Sequence, residues 1–149
     1  MARSCERIIH RGDELYIYYC GVHGAHTGPN VTEVVRKHRT AVGLLIQRRD
    51  GFVSLDAGDE PGYVLTKAFP WPGGTLHLNA DAADGAVRVA LCADFGTAIP
   101  GLESSLTVHG NQLDAVIGWP DGSHLPKAGA PVKLKLSAQR ARLYSYWFE

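Results

Sequence analysis

The clearest structural signal in this sequence is Val132-Lys133-Leu134-Lys135-Leu136, where apolar and charged side chains alternate without interruption. An alternation with a period of two is typical of a β-strand that has one buried face and one solvated face. Leu76-His77-Leu78-Asn79 shows the same pattern, and 17 glycines and 8 prolines separate short β-branched and aromatic runs along the 149 residues. The sequence therefore predicts an all-β protein.

The first 60 residues predict two β-hairpins. Gly12-Asp13 suits the turn of the first hairpin, and Asp50-Gly51 between two apolar runs is a strong signal for the second. The four expected strands cover residues 7–10, 15–19, 41–47 and 51–55. Between the hairpins, Asn30 is suited to cap a short helix over residues 31–37, which is the one helix that the sequence suggests.

The remainder, residues 61–149, predicts a jelly-roll-like β-sandwich that begins after Asp59-Glu60-Pro61-Gly62. Its strand signals recur at the short spacing that is typical of such folds. The expected strands cover residues 63–69, 75–79, 87–92, 105–108, 113–119, 132–136 and 142–148. Turns are expected between them, including Asp84-Gly85 and Gly110-Asn111. We therefore expect a hairpin domain over residues 1–60 and a sandwich domain over residues 61–149.

The composition excludes several classes of protein. Fifteen Lys and Arg residues against fifteen Asp and Glu residues give a formal net charge of +0, whereas nucleic-acid binders usually carry a basic excess. No apolar run approaches the roughly 20 residues that a membrane-spanning helix needs. The first residues, MARSCERIIHRGDE, are charged and lack the apolar stretch of a secretory signal. We therefore expect a cytoplasmic protein with neither a nucleic-acid partner nor a membrane partner.

The three cysteines, Cys5, Cys20 and Cys92, show no CxxC spacing and predict neither a disulfide framework nor a zinc site. Cys20 and Cys92 lie in apolar runs, where a thiol usually acts as a small buried hydrophobe. The sequence also lacks phosphate-loop, dinucleotide-binding, GxSxG and HExxH motifs. We therefore expect no metal and no cofactor.

Two groups of sequence phrases carry a resemblance to a known family. In the N-terminal region they are Glu14-Leu15-Tyr16-Ile17-Tyr18-Tyr19, Gly21-Val22-His23-Gly24, Arg39-Thr40-Ala41-Val42-Gly43-Leu44 and Arg48-Arg49-Asp50-Gly51-Phe52-Val53-Ser54-Leu55. In the C-terminal region they are Gly73-Gly74-Thr75-Leu76-His77-Leu78-Asn79-Ala80, Gly85-Ala86-Val87-Arg88-Val89, Ile99-Pro100-Gly101 and Ala141-Arg142-Leu143-Tyr144-Ser145. The first group resembles the last blade of five-bladed β-propellers of the glycoside hydrolase clan that contains families 32 and 43. The second group is similar to the β-sandwich that follows such propellers in bacterial proteins.

The resemblance implies a carbohydrate-active protein, and a small glycoside hydrolase is the leading expectation. In that family the catalytic carboxylates come mainly from earlier blades, which this sequence does not contain. The alternative is therefore a non-catalytic carbohydrate-binding or structural β-sandwich module. An isolated pair of propeller hairpins would also leave a face with Leu15, Ile17 and Tyr19 uncovered, so we expect a homo-oligomer.

Three carboxylates are candidates for a catalytic pair: Asp50, Asp56 and Glu60, which bracket the expected strand 51–55 and the domain boundary. Glycoside hydrolysis requires one carboxylic acid that protonates the leaving oxygen and one carboxylate that acts as nucleophile or base. The two groups are roughly 5 Å or 6.5–9.5 Å apart, depending on the stereochemical outcome. The alternative is that Asp50 only forms a turn and that Asp59-Glu60 is a solvated linker.

Four further residues are candidates for substrate binding: His23, His26, Arg49 and Trp71. The two histidines lie in a glycine-rich loop and are suited to bind sugar hydroxyls, although a plain polar loop is the alternative. Arg49 is included because it directly precedes the candidate carboxylate Asp50. Trp71 offers an indole face on which the apolar C–H face of a sugar ring stacks.

Overall fold

The computed structural model describes residues 2–4, 7–22, 40–93, 95–120 and 123–149. Every regular element in these ranges is a β-strand, which confirms the all-β prediction; the expected helix over residues 31–37 lies outside them. The strands are β1 Ala2–Ser4, β2 Ile9–Arg11, β3 Glu14–Val22, β4 Thr40–Arg48, β5 Leu55–Ala57, β6 Gly62–Leu65, β7 Phe69–Pro70, β8 Leu76–Cys92, β9 Val108–Ile117, β10 Pro131–Gln139 and β11 Ala141–Phe148. The chain divides into two compact units, which we call the N-terminal sheet unit (Met1–Phe52) and the sandwich unit (Val53–Glu149).

The N-terminal sheet unit contains one antiparallel sheet built around β3. β4 pairs with β3 along its whole length, from Glu14 opposite Arg48 to Val22 opposite Thr40. β2 and β1 share the other side of β3. The turn between β2 and β3 holds Gly12 at φ +59°, a left-handed conformation that glycine adopts without strain. The first predicted hairpin is therefore confirmed.

The second predicted hairpin is wrong, because the chain after β4 does not pair back onto it. A turn with Asp50 at φ +54° follows β4, and the next strand, β5, begins only at Leu55. β5 pairs with β11 instead, because Leu55 finds an apolar cross-strand partner there in Leu143. The division between the two units consequently falls between Phe52 and Val53, before the expected boundary at residues 60–61.

The sandwich unit is organised around β8, a strand of 17 residues. The first half of β8 pairs with β11 on one side and with β9 on the other, and its second half pairs with β10. β5 and β6 extend the sheet beyond β11 and β10 respectively. The result is a seven-stranded sheet of sandwich-like character.

The side chains of β8 that point into the core change from one alternating set to the other near the middle of the strand. Its register against β9 shifts between Ala82 and Val87. The β8 residues that belong to the apolar core are even-numbered before this point, as at Leu78, and odd-numbered after it, as at Val89. Because a strand alternates its side chains with a period of two, the shift lets both halves of β8 contribute to one core.

Gly85 lies within this irregular stretch, where β8 closely approaches the corner between β10 and β11. A Cβ atom at Gly85 would overlap the backbone carbonyl oxygens of Gln139 and Arg140 at the corner between β10 and β11. The predicted turn at Asp84-Gly85 is therefore wrong, since the chain continues through it as part of β8. The glycine serves the close approach of two backbones rather than a chain reversal.

The hydrophobic core of the sandwich unit confirms the alternation predicted for residues 132–136, whereas residues 76–79 are buried on both faces of β8. Val132, Leu134 and Leu136 on β10 are buried, whereas Lys133 and Lys135 between them are only partly covered. These residues share one apolar cluster with side chains from β8, β9 and β11. The core therefore lies on one face of β10 and fixes the position of the neighbouring strands.

Candidate functional site

A cleft of about 480 Å³ on the sandwich unit is lined by five charged side chains. They are Asp56, Asp81, Asp84, Arg140 and Arg142. Arg140 occupies the corner between β10 and β11 at φ +44°, and its backbone N–H donates a hydrogen bond of 2.8 Å to the carbonyl of Gly58. The cleft therefore lies beside the corner that Gly85 accommodates.

The register of the strands brings three of these charges into one row. Arg142 on β11 lies opposite Asp56 on β5 and, on its other side, opposite Asp81 on β8. Asp81 in turn lies opposite Asn111 on β9. Directly opposite residues of antiparallel strands project from the same face of the sheet. A polar row thus crosses four strands, with one guanidinium between two carboxylates.

Asp56 has two close polar neighbours within the sandwich unit. The hydroxyl of Ser54 donates a hydrogen bond of 2.6 Å to Oδ1 of Asp56, and Nε of Arg142 lies 3.8 Å from Oδ2. The side chains of Asp56 and Arg142 are 60% and 59% exposed. Such an exposed pair contributes at most about 1 kcal/mol to stability and keeps its polar atoms accessible to a ligand.

Asp56 also lines a second cleft of about 340 Å³ that contains Glu60 and Tyr63. Tyr63 is 66% exposed as a residue, and Nζ of Lys135 lies 4.6 Å from the centroid of its ring. Two of the three carboxylates proposed for the catalytic pair, Asp56 and Glu60, therefore share one cleft with an accessible aromatic ring.

Asp50 and Arg49 lie in the other unit, in the turn that follows β4. The backbone N–H of Arg49 donates a hydrogen bond of 2.9 Å to the carbonyl of Asp13, and its guanidinium lies 3.9 Å from the Asp13 carboxylate. Gly51 closes the turn by donating its N–H to the carbonyl of Arg48 over 3.1 Å. This geometry matches the turn alternative for Asp50, and a joint action of Asp50 with the carboxylates of the sandwich unit stays a prediction.

Trp71, which was predicted to bind substrate, lies in the hydrophobic core of the sandwich unit. Its side chain is 2% exposed and packs edge-on against Phe148, with ring centroids 5.0 Å apart. Because the ring is enclosed in the core, it has no face to offer to a sugar. The other two predicted binding residues, His23 and His26, lie outside the described residues, so their role stays a prediction.

A polar cluster around His77 on β8 was not anticipated from the sequence. Nδ1 of His77 lies 2.6 Å from Oδ1 of Asp114, and Nε2 lies 3.9 Å from Oε2 of Glu149. Trp147 stacks on the imidazole with ring centroids 5.3 Å apart and donates its indole N–H to Oε1 of Glu149 over 3.2 Å. Both ring nitrogens of this nearly buried histidine therefore face carboxylates. The cluster connects β8 to β9 through Asp114 and to the residue that directly follows β11, Glu149.

The buried thiol of Cys92 has the character expected from the sequence. Burial raises the pKa of Cys92, and the positive charges of Lys135 and Lys133 offset part of this effect. A raised pKa disfavours the thiolate, which is the reactive form of cysteine. Cys92 therefore acts as a small apolar side chain of the sheet.

The comparisons with known proteins leave the site to be judged from its geometry. No family model, curated protein or solved structure matches this chain. Within the described residues, no three His, Cys, Asp or Glu side chains are grouped so that they could hold a metal ion. The same ranges contain no helix long and apolar enough to cross a bilayer. The functional argument therefore depends on the two clefts around Asp56.

Proposed function

We propose that this is a carbohydrate-active protein whose sandwich unit binds a sugar at the clefts around Asp56. The observation that carries the proposal is the row of Asp56, Arg142 and Asp81 along an open cleft. Carboxylate oxygens accept hydrogen bonds and guanidinium N–H groups donate them, which are the two functions needed to bind neighbouring hydroxyls of one sugar ring. The resemblance of the sequence to glycosidase-related proteins supports the same class of ligand.

The cleft shared by Asp56 and Glu60 adds an apolar contact to these polar groups. The exposed ring of Tyr63 lies in its wall. Aromatic rings offer an apolar face to the C–H face of a sugar while polar neighbours bind its hydroxyls. The combination supports a saccharide more than a wholly apolar ligand.

The arrangement favours binding over hydrolysis as the primary function. Asp56 faces a guanidinium, accepts a hydrogen bond from a hydroxyl and is exposed to solvent. These surroundings suit a carboxylate that accepts hydrogen bonds from a ligand.

We expect Asp56→Asn to weaken sugar binding by about tenfold to a hundredfold, since a hydrogen bond to a charged group contributes about 1.5–3 kcal/mol. A panel of immobilised neutral and acidic oligosaccharides would identify the ligand, and titration calorimetry would then measure its affinity for the full chain. The matched control is Asp59→Asn, which removes a nearby exposed carboxylate that lines neither cleft. Equal losses in both variants, or no binding to any oligosaccharide, would contradict the proposal.

Hydrolysis is the second candidate, because Asp56 and Glu60 line one cleft. We expect Glu60→Gln to lower kcat/KM on a nitrophenyl glycoside by at least about a hundredfold while the sugar still binds, as for the loss of a general acid. The assay covers α- and β-glycosides and includes Asp56→Asn and Asp50→Asn. Wild-type protein that binds sugar but hydrolyses none of the glycosides would exclude this mechanism and leave the binding function in place.

A further inference from the structure

Strand β4 forms a long open edge of the N-terminal sheet unit. All nine of its residues, Thr40–Arg48, pair with β3 on one side. No strand that the structure describes pairs with its other side. An edge of this kind presents a row of backbone donors and acceptors to which a further strand can add.

The sequence of β4 lacks the features that normally protect an edge strand. Residues 40–47 contain neither a charged residue nor a proline. Protection usually comes from charges, prolines, bulges or a short strand. The edge strands of the sandwich unit do show these features, because β5 and β6 have three and four residues and β9 has register shifts and Asp114. β4 therefore differs from the other described edges of the same chain.

The side chains of β4 are exposed as well as apolar. Val42 is 70% exposed, and the three aliphatic residues Leu44, Leu45 and Ile46 are 40–49% exposed. A contiguous apolar surface of this kind usually marks an interaction site. The strand is thus apolar on both of its faces, and its outer edge has no strand partner among the residues that the structure describes.

We propose that β4 pairs antiparallel with β4 of a second copy of this chain, so that two N-terminal sheets join into one. Leu44 is the central residue of β4. A two-fold axis at Leu44 places it opposite Leu44 of the partner subunit and places Val42 opposite Ile46 of the partner subunit. Each pair is aliphatic, and such cross-strand pairs stabilise a sheet. The full strand length then supplies on the order of nine hydrogen bonds between the chains.

The distribution of charge is compatible with this self-association. Arg48 lies opposite Glu14 within its own sheet, and the guanidinium of Arg49 lies 3.9 Å from the carboxylate of Asp13. The cations at the end of β4 therefore have acidic neighbours, and the centre of the edge carries no charge. Closed two-fold dimers use the same surface on both copies. An uncharged, apolar edge can therefore pair with the same edge of a second copy.

The first test is the mass of the full chain by analytical ultracentrifugation, for which we expect twice the 16.1 kDa of one chain. Leu44→Lys places two ammonium groups opposite each other and should raise the dimer dissociation constant at least about a hundredfold. Leu65→Lys is the matched control, because Leu65 is 42% exposed on edge strand β6 against 40% for Leu44. The control should remain dimeric.

A cysteine cross-link tests the register independently of whether Leu44→Lys folds. With Cys5 and Cys20 replaced by serine, Leu44→Cys should form a disulfide-linked dimer on mild oxidation. Val42→Cys alone should not, whereas a mixture of Val42→Cys and Ile46→Cys chains should. Sheets that stacked face to face would lie about 10 Å apart, too far for a disulfide. A monomeric wild-type chain, or a dimer that lacks the Leu44→Cys cross-link, would overturn the proposal.

Discussion

Replacing Gly85 with alanine is expected to lower the free energy of unfolding of the sandwich unit by about 3 kcal/mol, at the upper end of what overpacking costs. The added Cβ would overlap the carbonyl oxygens of Gln139 and Arg140. Backbone atoms cannot rotate away as the end of a flexible side chain can. Relief therefore requires β8 to separate from the corner between β10 and β11, where both strands pair with β8.

Urea unfolding followed by far-UV circular dichroism measures this loss, and Gly62→Ala is the matched control. Gly62 also lies in a strand of the sandwich unit, but a Cβ there meets no atom within 4 Å. The control should unfold within about 0.5 kcal/mol of the wild type, as expected for a substitution without a specific clash. Similar unfolding free energies for the Gly85→Ala variant and the wild type would show that the corner is not closely packed.

The position of Gly85 also shows which parts of the fold the sequence could predict. Alternating runs such as Val132-Lys133-Leu134-Lys135-Leu136 predicted strands correctly, because burial of one face leaves a local pattern of period two. The local sequence does not show in the same way which structural role a glycine has. A chain reversal and a close approach of two backbones both require it, and only the position of β10 and β11 distinguishes them.

The candidate site shows the same limit at the level of side chains. Asp56 and Glu60 were selected because they lie near each other in the sequence, and both line one cleft. Arg142 was not predicted as a site residue, since it is far from Asp56 along the chain and comes to lie beside Asp56 and Asp81 only through strand register. No local motif encodes that register, so the row across β5, β11 and β8 could be found only from the structure.

Trp71 illustrates the reverse case, in which a chemically suitable residue is used for packing. We expect Trp71→Ala to destabilise the sandwich unit by about 3–5 kcal/mol, the usual cost of removing a large buried aromatic side chain. The indole is 2% exposed and packs against Phe148, which also lies 5.9 Å from the ring of Phe69. The cost is therefore that of a large cavity beside two other aromatic rings.

Comparison with Trp71→Phe separates the packing role of this side chain from a role in binding. Phenylalanine keeps most of the apolar volume, so we expect a cost of about 1–2 kcal/mol by urea unfolding. Its affinity for the sugar identified on the oligosaccharide panel should equal that of the wild type, because the indole of Trp71 does not reach the surface. A Trp71→Phe variant that folds normally but binds sugar at least tenfold more weakly would show instead that Trp71 contributes to sugar binding. That outcome would also mean that the core opens around β7 when the ligand binds, since a buried ring can contact a sugar only after such a movement.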